Sequence, residues 1–130
     1  MTTQQVQVPS NWEGSIPEYI AYTTFQQLGL RPGEDFSYQS PLLGGRMDKG
    51  GLVLDFIFPD RLLAINIQSV YFHYEFKGLE TKARDTMARS AIAGEGMTLV
   101  FIDDDDLMRD PRYYCQEALN YRDHSRLGGG

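Results

Sequence analysis

Leu52-Val53-Leu54-Asp55-Phe56-Ile57-Phe58 is apolar at every position but one. A carboxylate inside such a run is costly unless it is paired, hydrated or bound to a metal. A second apolar run, Leu62-Leu63-Ala64-Ile65-Asn66-Ile67-Gln68, is interrupted by two amides, and Pro59-Asp60-Arg61 between the runs reads as a turn. With Asp60 and Arg61 at the turn centre, Asp55 falls opposite Asn66 and both point to the same face of a hairpin. Gln68 joins that face two residues along. The carboxylate and the two amides are then either the solvated side of a strand pair or a set of oxygen donors gathered for chemistry.

Other groups carry weaker signals. Asp103-Asp104-Asp105-Asp106 could bind a cation, but a four-acid run is more simply a solvated turn leading into a helix N-terminus, where negative charge is favourable. Arg109, Arg112, Arg122 and Arg126 are interleaved with Tyr113, Tyr114 and Tyr121, a mixture that can contact nucleic acid. Asp110, Glu117 and Asp123 dilute it and favour ordinary surface pairing. Cys115 has no evident histidine partner and reads as a packing residue.

Composition narrows the classes. At 130 residues with 42% hydrophobic content, the chain has enough apolar material for one domain with a core of its own. A single cysteine excludes an internal disulfide framework and a multi-cysteine zinc site. With 12 basic against 18 acidic residues the net charge is -6, which argues against a high-affinity, sequence-blind nucleic-acid binder. It leaves room for an enzyme that touches nucleic acid transiently. No apolar run is long enough for a transmembrane helix, and Met1 to Gln5 shows neither the basic start nor the apolar stretch of a signal peptide.

The elements that must position these groups follow from spacing. Residues 1–14 read as a polar arm in which Trp12 either docks on the core or anchors a partner. A helix should begin at Ser15-Ile16-Pro17-Glu18, with Ser15 and Glu18 at capping-box spacing and Pro17 in the first turn. Ile20, Ala21, Phe25 and Leu28 form its apolar face, and Gly29 ends it. Residues 35–41 read as a weak edge strand, and residues 42–51, with four glycines, as a mobile loop. The hairpin comes next, followed by a helix over about 79–93, a strand over Met97 to Ile102 and a last helix from Pro111, with Tyr114, Ala118 and Tyr121 on one side. This order implies an α/β (α+β) fold: one domain over 15–122, a mixed central sheet with an αβββαβ core flanked by helices, and a flexible C-terminal tail over 123–130.

Asp55 near a strand end, the Asn66-Ile67-Gln68-Ser69 segment on the next strand and then Tyr71-Phe72-His73 resemble the PD-(D/E)XK nuclease superfamily, in particular its very-short-patch-repair endonucleases and their phage-borne relatives. The Lys82-to-Asp85 helix and the Gly96-to-Ile102 strand extend the resemblance, which runs from Ser15 to about Leu107. It implies a restriction-endonuclease-like fold and metal-dependent hydrolysis of DNA phosphodiesters. Magnesium or manganese would be held by Asp55, Glu18 and the Asn66 carbonyl. His73 would move a proton, and its ordinary pKa near neutrality suits that task.

Two departures stand against that pattern. Where the superfamily carries Glu or Asp and then Lys, this chain carries Asn66 and Gln68, which removes two charges from the site strand. Metal binding is then expected to be weak. Lys82 or Lys77 could restore the lost positive charge, with Gln68 standing in the lysine position. An alternative is a degenerate, non-cutting structural or adaptor protein of a phage particle, binding a protein partner through Trp12 and the C-terminal tail. The enzyme reading implies the cytoplasm of a bacterium or an infected host, the alternative a virion, and neither involves a membrane.

Overall fold

The Ser15 hydroxyl accepts a hydrogen bond from Glu18 N at 3.2 Å, and Glu18 Oε1 accepts one from Ser15 N at 3.2 Å. This reciprocal capping box, with proline in the first turn, starts helix α1 (Ile16–Gln27). Leu28 caps the other end, and Gly29 follows at φ 95°, a left-handed conformation that favours glycine. The computed structural model describes residues 7–12, 14–40, 54–70, 90 and 92–126.

Strand β1 (Ser37–Ser40) pairs antiparallel with β2 (Leu54–Phe58), and β2 pairs antiparallel with β3 (Leu63–Gln68). A 3-10 turn, Pro59–Arg61, joins β2 to β3 and ends at Leu62, which takes φ 51°. The β2–β3 register is the one expected from a turn centred on Asp60 and Arg61, with Phe56 opposite Ile65 and Phe58 opposite Leu63. Strand β4 (Thr98–Asp103) lies parallel to β3 and completes a mixed sheet of order β1-β2-β3-β4. A parallel neighbour requires a crossover, and residues 69–97 span it. Residues 90 and 92–94 are helical, consistent with the end of the helix expected over 79–93. The rest of that helix, the glycine-rich loop and the first two residues expected in β2 lie outside the described residues.

Both faces of the sheet are buried. Phe56, Phe58, Leu63, Ile65, Val100 and Ile102 pack with Ala21 and Phe25 of α1 and with the C-terminal helices. Ile57, Ala64, Leu99 and Phe101 pack with Ile92 and Met97. Burial on both sides accounts for a β2 whose residues are all buried. The Phe25 ring meets those of Phe36, Phe56 and Phe58 at centroid separations of 5.6, 5.2 and 5.0 Å. The fold is a single mixed α+β domain.

After β4 the chain departs from the expected single helix. It forms a short α2 (Asp104–Arg109) and then α3 (Pro111–Leu119), because Asp110 leaves helical geometry before Pro111 and caps α3 by accepting from Tyr113 N at 3.2 Å. Tyr121, expected on the helix face, lies beyond its end at φ 66°, where its hydroxyl donates to Arg61 O at 2.5 Å. Cys115 is buried among apolar side chains that push its thiol up to about 12, as suits a packing residue.

Residues 123–126, assigned to the tail from sequence, are bonded to the outer strand. Asp123 Oδ2 accepts from Phe101 N at 2.9 Å, and Asp103 Oδ2 accepts from Arg126 N at 3.1 Å. These bonds cover part of the free edge of β4.

Replacing Phe25 with alanine would leave a void where three rings converge. It is expected to lower unfolding free energy by about 3–5 kcal/mol, measured by denaturant titration.

Candidate active site

The sheet opens into a fork. Strand β2 stays paired with β1 as far as Leu54, and β3 stays paired with β4 as far as Gln68. The β2–β3 pairing stops at Phe56 and Ile65. Asp55 and Asn66 stand just past that point, and their side chains take up backbone donors in the opening. Asp55 Oδ2 accepts from Ile67 N at 2.8 Å, and Asn66 Oδ1 accepts from Asp55 N at 2.8 Å. A polar side chain from each strand thus bridges the gap and orients the other strand's residue.

Glu18 reaches Asp55 from the first turn of α1. Its negative charge acts on Asp55 and helps to raise the Asp55 pKa, so Glu18 serves the helix cap and the site at once. Asp55 is only 9% exposed. Burial pushes its pKa up to about 8, the negative charge of Glu18 adds to the rise, and the Ile67 N–H bond opposes it. No described lysine or arginine contributes to stabilising the Asp55 charge.

Gln68 lies two residues past Asn66 and is 1% exposed, and neither its Oε1 nor its Nε2 has a hydrogen-bond partner among the described residues. A buried amide with both ends unmatched costs free energy, so such groups mark places where a ligand, ion or water completes the structure. The donor set therefore fits a hard divalent cation: two adjacent carboxylates, a neighbouring amide and an orphaned buried amide. Glu18, Asp55 and Asn66 come together at the fork, where the Asn66 oxygen accepts from Asp55 N. His73, Lys82, Lys77 and Asp85 lie outside the described residues.

Of two features near Glu18, only the Tyr38 contact had no sequence signal, since docking is one of the two readings of Trp12. The Tyr38 hydroxyl donates to Glu18 Oε1, and the Trp12 ring stacks on Tyr38 at 4.7 Å. The Trp12 indole also donates to Ser15 O at 3.0 Å, so Trp12 docks onto the domain.

The acidic run forms a separate cluster. Carboxylate oxygens of Asp103, Asp105 and Asp106 lie within 4.8 Å of one another. The expected solvated turn needs correction at Asp103, which is 1% exposed. Arg126 explains the burial: its guanidinium contacts Asp103 at 2.9 Å and Asp105 at 2.8 Å. Asp104 Oδ1 accepts from Val70 N at 3.1 Å. Arg109 pairs with Asp106 and Arg122 with Glu117, so the arginine-rich region is largely occupied by surface pairing.

A four-stranded mixed sheet forked around buried acidic and amide side chains belongs to a nuclease-like fold. Among solved structures, the chain is similar to the homing endonuclease I-Bth0305I catalytic domain, with a TM-score of 0.58 and 17% identity over 83% of this chain and 94% of that one. No family model and no curated protein matches the sequence.

The raised Asp55 pKa sets a pH dependence in metal-free protein. The folded state holds the proton up to about pH 8, whereas an unfolded aspartate releases it near about 3.9. Its stabilising contribution is complete below the unfolded value and is lost as pH rises through the folded one. Asp35, Asp105 and Glu117, held below their ordinary values by arginine or histidine partners, act in the opposite sense at lower pH. Thermal melts in chelator should show Asp55→Asn flattening the decline between about pH 4 and pH 8 and raising stability at the alkaline end.

Proposed function

We propose that this domain is a divalent-metal-dependent DNA endonuclease related to the PD-(D/E)XK superfamily and its very-short-patch-repair-like branch. The observation that carries the reading is buried Asp55 beside half-buried Glu18, with no described cation next to them, at the fork of a nuclease-like sheet. The solved neighbour, a homing endonuclease catalytic domain, supports the same class.

When bound, magnesium or manganese supplies Lewis-acid chemistry, stabilising charge on the scissile phosphate and activating water. Glu18 and Asp55 would hold the cation, and Asn66 holds Asp55 by accepting from its backbone N–H. Gln68 offers an amide donor and acceptor to the phosphate or to water, in the position where the superfamily uses lysine. His73 takes the proton-transfer role, and Lys82 returns positive charge to the site. The net charge of -6 gives the chain little attraction for DNA, and a bound cation would supply local positive charge at the site.

Plasmid, single-stranded and four-way-junction DNA incubated with magnesium and with manganese provide the test. Cleavage is expected, and Asp55→Ala should reduce its rate at least about a hundredfold, because losing a metal ligand removes several kcal/mol of transition-state stabilisation. Absence of cleavage on every substrate, or equal cleavage by Asp55→Ala, contradicts the reading.

A further inference from the structure

Glu18 has three rotatable side-chain bonds and sits in the first turn of a helix, where an unrestrained carboxylate would sample several orientations. In this fold it is tied down. Ser15 N donates to Glu18 Oε1 at 3.2 Å, and the Tyr38 hydroxyl donates to the same oxygen. Two donors on one oxygen set the plane of the carboxylate, whose charge also acts on Asp55.

Tyr38 is braced in turn. Its ring stacks on Trp12 at 4.7 Å and packs against Phe56 at 5.2 Å. Trp12 is held by its bond to Ser15 O and by Tyr19 and Tyr22, at centroid separations of 5.1 and 5.3 Å. Gly14 connects the arm to the helix where a side chain would have to displace its neighbours. A Cβ there would overlap the Tyr38 hydroxyl and stand 2.6 Å from Glu18 Oε1.

We infer that Tyr38, braced by Trp12 and given room by Gly14, is a positioning residue that orients Glu18 for cation binding at the Glu18–Asp55 pair. This rests on the metal-site reading above and adds residues outside the expected ligand set. Residues 7–12 of the arm then matter to the site through Trp12, without touching the reacting atoms. The hydroxyl is the operative group: the ring packs, and the O–H bond aims the carboxylate.

Binding of Mn2+ alone, followed by the electron paramagnetic resonance signal of the free ion, tests this without reference to DNA cleavage. Tyr38→Phe keeps the ring and its stacking and removes only the donor. It should raise half-saturating Mn2+ about tenfold, the scale of a hydrogen bond to a charged group. Gly14→Ala, which intrudes on the same hydroxyl and carboxylate, should shift binding in the same direction and serves as a second variant should Tyr38→Phe fold poorly. Tyr22→Phe removes a hydroxyl from the same aromatic cluster but not from Glu18, and should bind as the wild type does. In cleavage assays Tyr38→Phe should require more metal yet approach the wild-type rate at saturation.

Wild-type affinity in a folded Tyr38→Phe overturns the inference and leaves the metal site standing. An equal loss in Tyr22→Phe also overturns it, because the effect would then belong to the cluster as a whole. A wild-type chain that binds no Mn2+ removes the metal-site reading, and this inference with it.

Discussion

A buried Asp55 carboxyl beside the half-buried carboxyl of Glu18 is the constraint on which this structure turns. Either carboxylate would lose hydration on burial, and together they repel. In the metal-free chain the conflict is relieved by a proton, which is why Asp55 stays protonated to about pH 8. A bound cation would relieve it in another way, by replacing the proton with a compact positive charge. Keeping the pair together therefore disfavours the empty, deprotonated state, and the rest of the fold must hold the groups in place against it.

Several elements share that task. The fork in the sheet exposes backbone donors that would otherwise be consumed by pairing, and Asp55 and Asn66 use them to fix each other across the gap. On the far side of Glu18, the capping box joins helix formation to carboxylate orientation, so the residue that starts α1 also faces Asp55. The aromatic face of Phe25, Phe36, Phe56 and Phe58 seats α1 on the sheet. At the opposite edge the Asp103–Arg126 pair anchors the C-terminal segment to β4. Arg126 and Arg109 offset part of the charge of that acidic cluster, which separates it chemically from Glu18–Asp55, where no described arginine or lysine provides the same relief.

Local rules account for what was legible in the sequence. The β2–β3 register followed from a turn centred on Asp60 and Arg61, because pairing one hairpin end determines every residue beyond it. The α1 cap was readable from Ser15 and Glu18 three residues apart. The meeting of Glu18 with Asp55 was not readable from spacing, since it depends on how α1 docks across the sheet; only the family resemblance suggested it. Tyr38 gave no signal, being one aromatic in a weakly alternating edge strand. Asp103 looked solvated because its partner, Arg126, lies far along the chain and returns only once α2 and α3 have packed. The short helix ahead of Pro111 was not legible because Pro111 marked only the start of the last helix, and Asp110 read as a charge diluting the arginines and not as the residue that breaks and caps.

The central claim is that the Glu18–Asp55 pair, and not the acidic run after β4, is the cation site. Anomalous diffraction from crystals soaked in manganese tests it most directly. The account predicts a manganese peak within coordination distance of both Glu18 and Asp55. A peak confined to Asp103, Asp105 and Asp106, or none near the fork at saturating manganese, would contradict it.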